Sequence, residues 1–277
     1  MEEIEHLLGN IPNLDELLAS FANDSRNSDV NFHILTRTDD IDQTWTVLRI
    51  ITERPPKGWE KLFKLPGIIA GAKRIDHRLE TEFQSEYVPL RRHLFRAYNI
   101  PLSDVRVVII GQDPYYTSVH GRPQATGWAF SLWRDAPLQP SLRNIYKQIG
   151  TEYPSFQPPN HGDLTGWVNQ GVFLLNACFT TSPGLAGAHK ELWRDFVKQT
   201  IQLIREERPA TVVMLWGGAA QKLGKDCGNL KLVMCSHPSD KSAYSGDTPF
   251  MGSGCFTKCN QHLISQGIEP IDWTHLP

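Results

Sequence analysis

Val105-Arg106-Val107-Val108-Ile109-Ile110-Gly111-Gln112-Asp113-Pro114-Tyr115-Tyr116 is the stretch that decides the fold. β-branched residues crowd its first half, which then breaks at a glycine into a polar loop punctuated by proline. Such a run, with almost no polar alternation, suits a strand buried on both faces, the inner strand of a parallel sheet. The pattern recurs downstream. Residues 172–175 follow Gly171 and stop at Asn176; residues 211–216 stop at Gly217-Gly218; residues 230–235 stop at Ser236-His237-Pro238-Ser239. Helical patterns fill the intervals. A helix is expected over 79–98, ahead of Ile100-Pro101, and another from Ser141 as N-cap to 149, closed by Gly150. Trp193, Phe196, Val197, Thr200, Ile201 and Ile204 mark one face of a longer helix, and short helices are expected over 219–223 and 256–265. Strands alternating with helices require crossover connections. The expected fold is α/β: a central four-stranded parallel twisted sheet with helices on both faces.

The bulk properties bound the rest. The chain has 277 residues, 40% hydrophobic and 21% charged, enough to bury a core without metal or disulfide staples. Its five cysteines are odd in number and form no CxxC pair, so they are expected to be reduced thiols, and no metal site is expected. No apolar run reaches the roughly 18 residues of a membrane span, and the N-terminus is acidic rather than signal-like. The expectation is an intracellular protein with no membrane partner. Charge divides the chain: residues 1–57 carry a net −6, the remainder a net +4. Leu14, Leu17, Leu18 and Phe21 have helical spacing, and Arg54-Pro55-Pro56-Lys57-Gly58 has the composition of a linker. The expected organisation is an acidic extension over 1–57, partly helical or flexible, and one main domain over 58–277. The extension's helix serves either its own core or a protein partner.

In open parallel sheets, ligands bind beyond the carboxyl ends of the strands. There the sequence places a carboxylate (Asp113), an amide (Asn176), a glycine pair (Gly217, Gly218) and an imidazole (His237). A carboxylate orients water and stabilises a cation; an amide offers a donor and an acceptor on one edge; an imidazole donates to a developing anion. Together these suit cleavage of an N-glycosidic bond, in which the sugar becomes cationic and the base leaves as an anion. Each residue alone also has an ordinary reading: Asp113-Pro114 as a turn initiator, Asn176 as a loop anchor, His237 as a satisfied loop histidine, Phe130 as core.

Six segments add a likeness that residue chemistry alone does not supply. GQDPY at 111–115, GWAFS at 127–131, PSLRNIYK at 140–147, GDLTGWVNQGVFLLN at 162–176, LWGGAAQK at 215–222 and HPSDKSAYSG at 237–246 occur in order. The chain from about 58 to 273 resembles family-1 uracil-DNA glycosylase. The resemblance implies an enzyme, without cofactor, that flips uracil out of single- or double-stranded DNA and hydrolyses its glycosidic bond. By that likeness Asp113 positions the attacking water and His237 stabilises the departing uracil anion. Gln112 lends its backbone to the uracil pocket, Tyr115 excludes thymine's methyl, Phe130 stacks on the base and Asn176 reads its edge. Ser141, Gly217, Gly218, Ser239 and Ser242 grip the phosphates. The default expectation is a monomer, located in the nucleus or another site of DNA replication, with a DNA-mimicking inhibitor protein as a further candidate partner.

The departures from the family's pattern fall on the DNA grip. Lys241 stands where the family carries a leucine wedge, and Asp240 where proline is usual. The wedge is then Lys241 itself, Tyr244, or Phe250 or Met251 from a longer loop. Tyr116 replaces a histidine and Gly218 a serine. These changes motivate the rival expectation of a non-enzymatic DNA-binding or replication-accessory protein on the same fold.

Overall fold

A computed structural model describes residues 40–277. Its elements run, in chain order, α1 (Val47–Glu53), α2 (Glu60–Phe63), α3 (Pro66–Thr81), β1 (Val107–Gly111), β2 (Ser118–Val119), β3 (Arg122–Pro123), α4 (Pro140–Glu152), α5 (Thr165–Val168), β4 (Val172–Asn176), α6 (Arg194–Glu207), β5 (Val212–Trp216), α7 (Gly218–Gln221), β6 (Lys231–Cys235) and α8 (Cys255–Ser265). The sheet has the order β4-β1-β5-β6 and is parallel throughout. Every residue of β1, β4 and β5 is buried, as strands covered by helices on both faces must be. The expected four-stranded α/β sheet is thus the observed one.

The register fixes what meets at the carboxyl edge. Gly111 pairs with Asn176 across β1 and β4, and Trp216 with Cys235 across β5 and β6. The chain leaves β1 for β4 on one side and leaves β5 for β6 on the other. Their connections therefore diverge above the β1–β5 pair, which opens a crevice at that rim.

Aromatic side chains fill the core beneath. Trp59 stacks on Phe173 with centroids 5.1 Å apart, and Phe179 on Trp193 at 4.6 Å. Ile41, Trp45, Val47, Ile50 and Ile51 are buried in the same core. The packing has no break at residue 57, where the sequence suggested a boundary. The helix expected around Leu14 and Phe21 lies outside the described residues.

Three local expectations are corrected. The helix expected over 79–98 is absent as such: α3 ends at Thr81, and turns with short 3-10 segments follow. Pro89 cannot donate within a helix, and Val88 instead exchanges both backbone hydrogen bonds with Thr181, at 3.0 and 3.1 Å. Ser141 is not an N-cap. Gln139 takes that place with Pro140 at the first helical position, where its missing N–H costs nothing. The same helix passes through Gly150 to Glu152, whose carboxylate accepts the Thr257 N–H at 2.6 Å in the first turn of α8. Nor does Phe250 point outward from its loop: it is fully buried, edge-on to Trp216 at 5.2 Å. Met251 is half-buried against the core.

Because Phe250 is a core residue, Phe250→Ala is expected to lower unfolding free energy by about 3–5 kcal/mol. Urea unfolding measures this, and a loss within 0.5 kcal/mol, the size of a typical surface change, would contradict the assignment.

Candidate active site

Asn176 ends β4, and its side chain folds back over β1. A methyl on Gly111 would lie 2.5 Å from Asn176 Oδ1 and 2.9 Å from Ala129 Cβ. Only glycine leaves room there for the amide. Asn176 is 6% exposed, and its amide makes no hydrogen bond among the described residues. The amide is not among the side-chain groups sealed from solvent without a partner, so it stays open to a ligand at the cavity it lines.

Asp113, two residues beyond Gly111, shares a cavity with Asn176. Pro114, Tyr115, Thr126, Trp128 and Phe130 complete the wall. The space left is about 10 Å³, no more than one water requires. The Asp113 carboxylate accepts the Gly187 N–H on one oxygen and the Gln112 side-chain amide, at 3.1 Å, on the other. Burial pushes its pKa above the ordinary 3.8, and those two bonds only partly oppose the rise.

Phe130 is held in the left-handed region, φ +63°, rarely occupied by a bulky residue. Two bonds hold its segment: Ala129 N–H donates to Leu174 O at 3.1 Å and Tyr115 OH to Phe130 O at 3.3 Å. Burial pushes the Tyr115 phenol upward in pKa, so it stays neutral. Backbone strain at a cavity wall is a feature of sites where geometry matters more than local stability.

His237 reaches the same region from the end of β6. Its ring centroid lies 5.9 Å from that of Phe130, which in turn lies 5.3 Å from Trp216. Gly217 abuts it, so an added methyl would come within 2.7 Å of His237 Cβ. Nδ1 accepts the Ser239 N–H at 3.0 Å, and burial lowers the pKa below the ordinary 6.5. A neutral ring whose Nδ1 accepts must carry its proton on Nε2, leaving that atom as a donor.

The remaining expected residues occupy the surrounding loops. Ser141 sits in the first turn of α4, half-buried, and Gly218 opens α7, exposed. Gln112 lends its carbonyl to Cys178 N–H at 3.1 Å. Ser239 and Ser242 pair through their hydroxyls at 2.8 Å, and Ser242 Oγ donates to His237 O at 3.0 Å. Lys241 is exposed, without a hydrogen bond or ion pair among the described residues. Tyr244 is 65% exposed. Between them Ala243 is fully buried, and its carbonyl accepts Met251 N–H at 2.9 Å. The loop is therefore anchored while its two long side chains project.

Sequence reasoning missed several groups. Gly187 follows no motif cited above, and only its place in a glycine-rich stretch, Gly184-Leu185-Ala186-Gly187, hinted at an unusual backbone. Asn144 was hidden within a helix, yet its amide donates to Pro238 O and Asp240 Oδ1, both at 2.9 Å. That bond gives Asp240 a structural reason to stand where the resemblance expects proline.

Residues 98–264 match the Uracil DNA glycosylase superfamily. A uracil-DNA glycosylase of Serratia proteamaculans is 42% identical over 189 residues, 67% of this chain and 80% of that protein. One of Photorhabdus laumondii is 43% identical over 190 residues, 67% of this chain and 81% of that protein. The crystal structure of mimivirus uracil-DNA glycosylase matches with a TM-score of 0.76 at 28% identity, covering 89% of this chain and 96% of that one. A variant of the mimivirus protein, solved in complex with UGI, matches at 0.72 and 29% identity, covering 78% of this chain and 88% of that one. With its parallel sheet, its strand-end cavity and these likenesses together, the chain belongs to the uracil DNA glycosylase superfamily.

Proposed function

We propose that the chain excises uracil from DNA by hydrolysing the bond between base and deoxyribose, leaving an abasic site. The observation that carries the residue assignment is the unpaired Asn176 amide facing Asp113 across one cavity. A protein that only bound DNA would have no use for a half-buried carboxylate facing an open amide across one cavity.

The extruded base lies against Phe130. Asn176 accepts from uracil N3–H and donates to O4, whereas cytosine presents the opposite polarity and leaves the amide unpaired. Tyr115 fills the space that thymine's methyl would need. Asp113 directs water at the sugar and stabilises its positive charge as the bond lengthens. The negative charge moves onto the base, where His237 Nε2–H donates to O2 without giving up its proton. Exclusion of water strengthens both interactions. Burial raises the Asp113 pKa, and the Gly187 and Gln112 donors oppose that rise by stabilising the anion.

Outside the pocket, the first turn of α4 at Ser141, the Gly217-Gly218 turn and the Ser239/Ser242 pair hold phosphates flanking the lesion. With Phe250 buried, Tyr244 is the side chain that stacks into the gap left by the base, and Lys241 takes a phosphate. A protein that mimics DNA charge would occupy the same face.

Purified protein is expected to release free uracil from single- and double-stranded uracil-containing DNA in chelator; no release beside an active control would end the reading. Asp113→Asn is expected to slow single-turnover release by about 10²–10⁴-fold with DNA affinity retained; equal losses in both would contradict its role. The same substitution has a stability signature. A carboxyl whose folded pKa is raised penalises folding once it ionises, so the penalty is absent below the unfolded value of 3.8 and complete above the raised one. Asp113→Asn should therefore melt higher than the parent at neutral pH and converge with it in acid, by calorimetry across pH. Tyr244→Ala should reduce excision from double-stranded far more than from single-stranded DNA, while Lys241→Ala weakens both and lowers the salt dependence of binding by about one ion. Equal effects of Tyr244→Ala on both substrates would remove it as the wedge.

A further inference from the structure

The loop that brings Gly187 to Asp113 is tied down by Thr181. Thr181 is fully buried, and its backbone is fixed by the antiparallel bridge to Val88. Its hydroxyl donates to Leu185 O at 2.6 Å and accepts from Ala188 N–H at 3.3 Å. Those partners lie two residues before and one residue after Gly187, so one hydroxyl brackets the N–H that meets the carboxylate. The flanks are held separately. Gly184 N–H donates to Tyr116 O at 3.1 Å. His189 bonds Thr180 Oγ1 through Nδ1 at 2.9 Å and Ser182 Oγ through Nε2 at 3.1 Å. The His189 contacts close the wider loop around Gly187, and Lys190 N–H donates to Gly187 O at 3.3 Å. The Thr181 hydroxyl differs in bonding the backbone close on both sides of Gly187 from one atom.

We propose that Thr181 is a positioning residue for the reaction: its hydroxyl holds the Gly187 N–H against Asp113 and thereby sets the orientation and charge state of that carboxylate. This rests on the reading of Asp113 as the group that directs water. The physical reasoning is direct. Desolvation favours the neutral acid, and the Gly187 N–H opposes it by stabilising the anion. A loop free to swing the N–H away leaves burial less opposed, so more of Asp113 is protonated at a given pH and inactive. The surrounding titratable groups do not substitute for it. Cys178, after β4, is pushed up to about 12 by burial, with the Asp113 charge adding, and its thiol donates to Thr180 O at 2.9 Å. On the loop itself His189 is held down to about 4 by burial, with Arg78 lowering it further and Glu82 opposing. Gln112, on the other oxygen of Asp113, is uncharged.

The test is single-turnover uracil release against pH for the full chain, Thr181→Val, Thr181→Ser and Gly187→Ala, with melting curves and DNA affinity for each. Valine keeps the shape of threonine without the hydroxyl; serine keeps the hydroxyl. Gly187→Ala acts on the same N–H from a half-buried site, where φ +69° strains any side chain and the nearest atom to the new methyl, Gln112 Nε2, is 4.0 Å away. It therefore stays informative if the valine variant does not fold. The expected result is a rate lower by about tenfold to a hundredfold in Thr181→Val and Gly187→Ala, the scale of a catalytic group misplaced by about 1 Å. Their acid limb moves to higher pH, affinity stays within about twofold, and Thr181→Ser returns both rate and limb to the parent's. A folded Thr181→Val with the parent's limb, or a rate loss with the limb unmoved and no rescue by serine, overturns the proposal. If valine fails to fold, an unmoved limb in Gly187→Ala overturns it. Failure of the underlying reading shows elsewhere, as absence of uracil release by the parent or full activity of Asp113→Asn.

Discussion

The pairing of Gly111 with Asn176 is the constraint on which the site depends. Parallel register sets the last residue of β4 beside the last residue of β1, and the missing side chain of Gly111 lets the amide lie over the strand end. Asp113, two residues further, then has to face that amide. Shifting β4 by one residue would turn Asn176 to the opposite face and separate the groups by the thickness of the sheet. The aromatic core beneath protects this register, since Trp59 stacks on Phe173 of β4 and so ties that strand to the segment before α3.

Around that pairing the molecule accepts local costs for readiness. Phe130 holds an unfavourable backbone conformation, the Asn176 amide makes no hydrogen bond among the described residues, and burial raises the Asp113 pKa. Each would be relieved in a protein selected only for stability. Under the proposed function each has a use: Phe130 stacks on the base, Asn176 reads its edge and Asp113 faces the developing cation. His237 is set in the same way, since its Ser239 bond fixes the tautomer of the ring.

Much of this is legible in the sequence because local rules and global fold agree at the strands. The uninterrupted apolar runs ending at Gly111, Asn176 and Trp216 are buried throughout, while the run ending at Cys235, broken by Lys231, is a partly exposed edge strand; the polar residues just beyond all four gather at one rim. Asp113 and Asn176 line one cavity there, and His237 lies beside Phe130 of its wall. What stayed hidden depends on contacts far apart in sequence. Val88 gives its hydrogen bonds to Thr181, across more than ninety residues, instead of to a helix. Asn144 bonds Asp240, and a backbone N–H at Gly187 reaches Asp113; neither has a periodicity to betray it. Phe250 misled for the opposite reason: a loop aromatic beside a glycine-rich turn has a surface-like context, yet the space beside Trp216 claims it.

The most direct measurement is a crystal structure of the chain with double-stranded DNA containing 2′-fluorinated deoxyuridine, whose electron-poor sugar resists cleavage. The account predicts the uracil ring outside the helix, flat against Phe130, with its N3 and O4 within hydrogen-bond distance of the Asn176 amide and its O2 within reach of His237 Nε2. A uracil still stacked in the duplex, or seated where Asn176 and His237 cannot both touch it, would contradict the account.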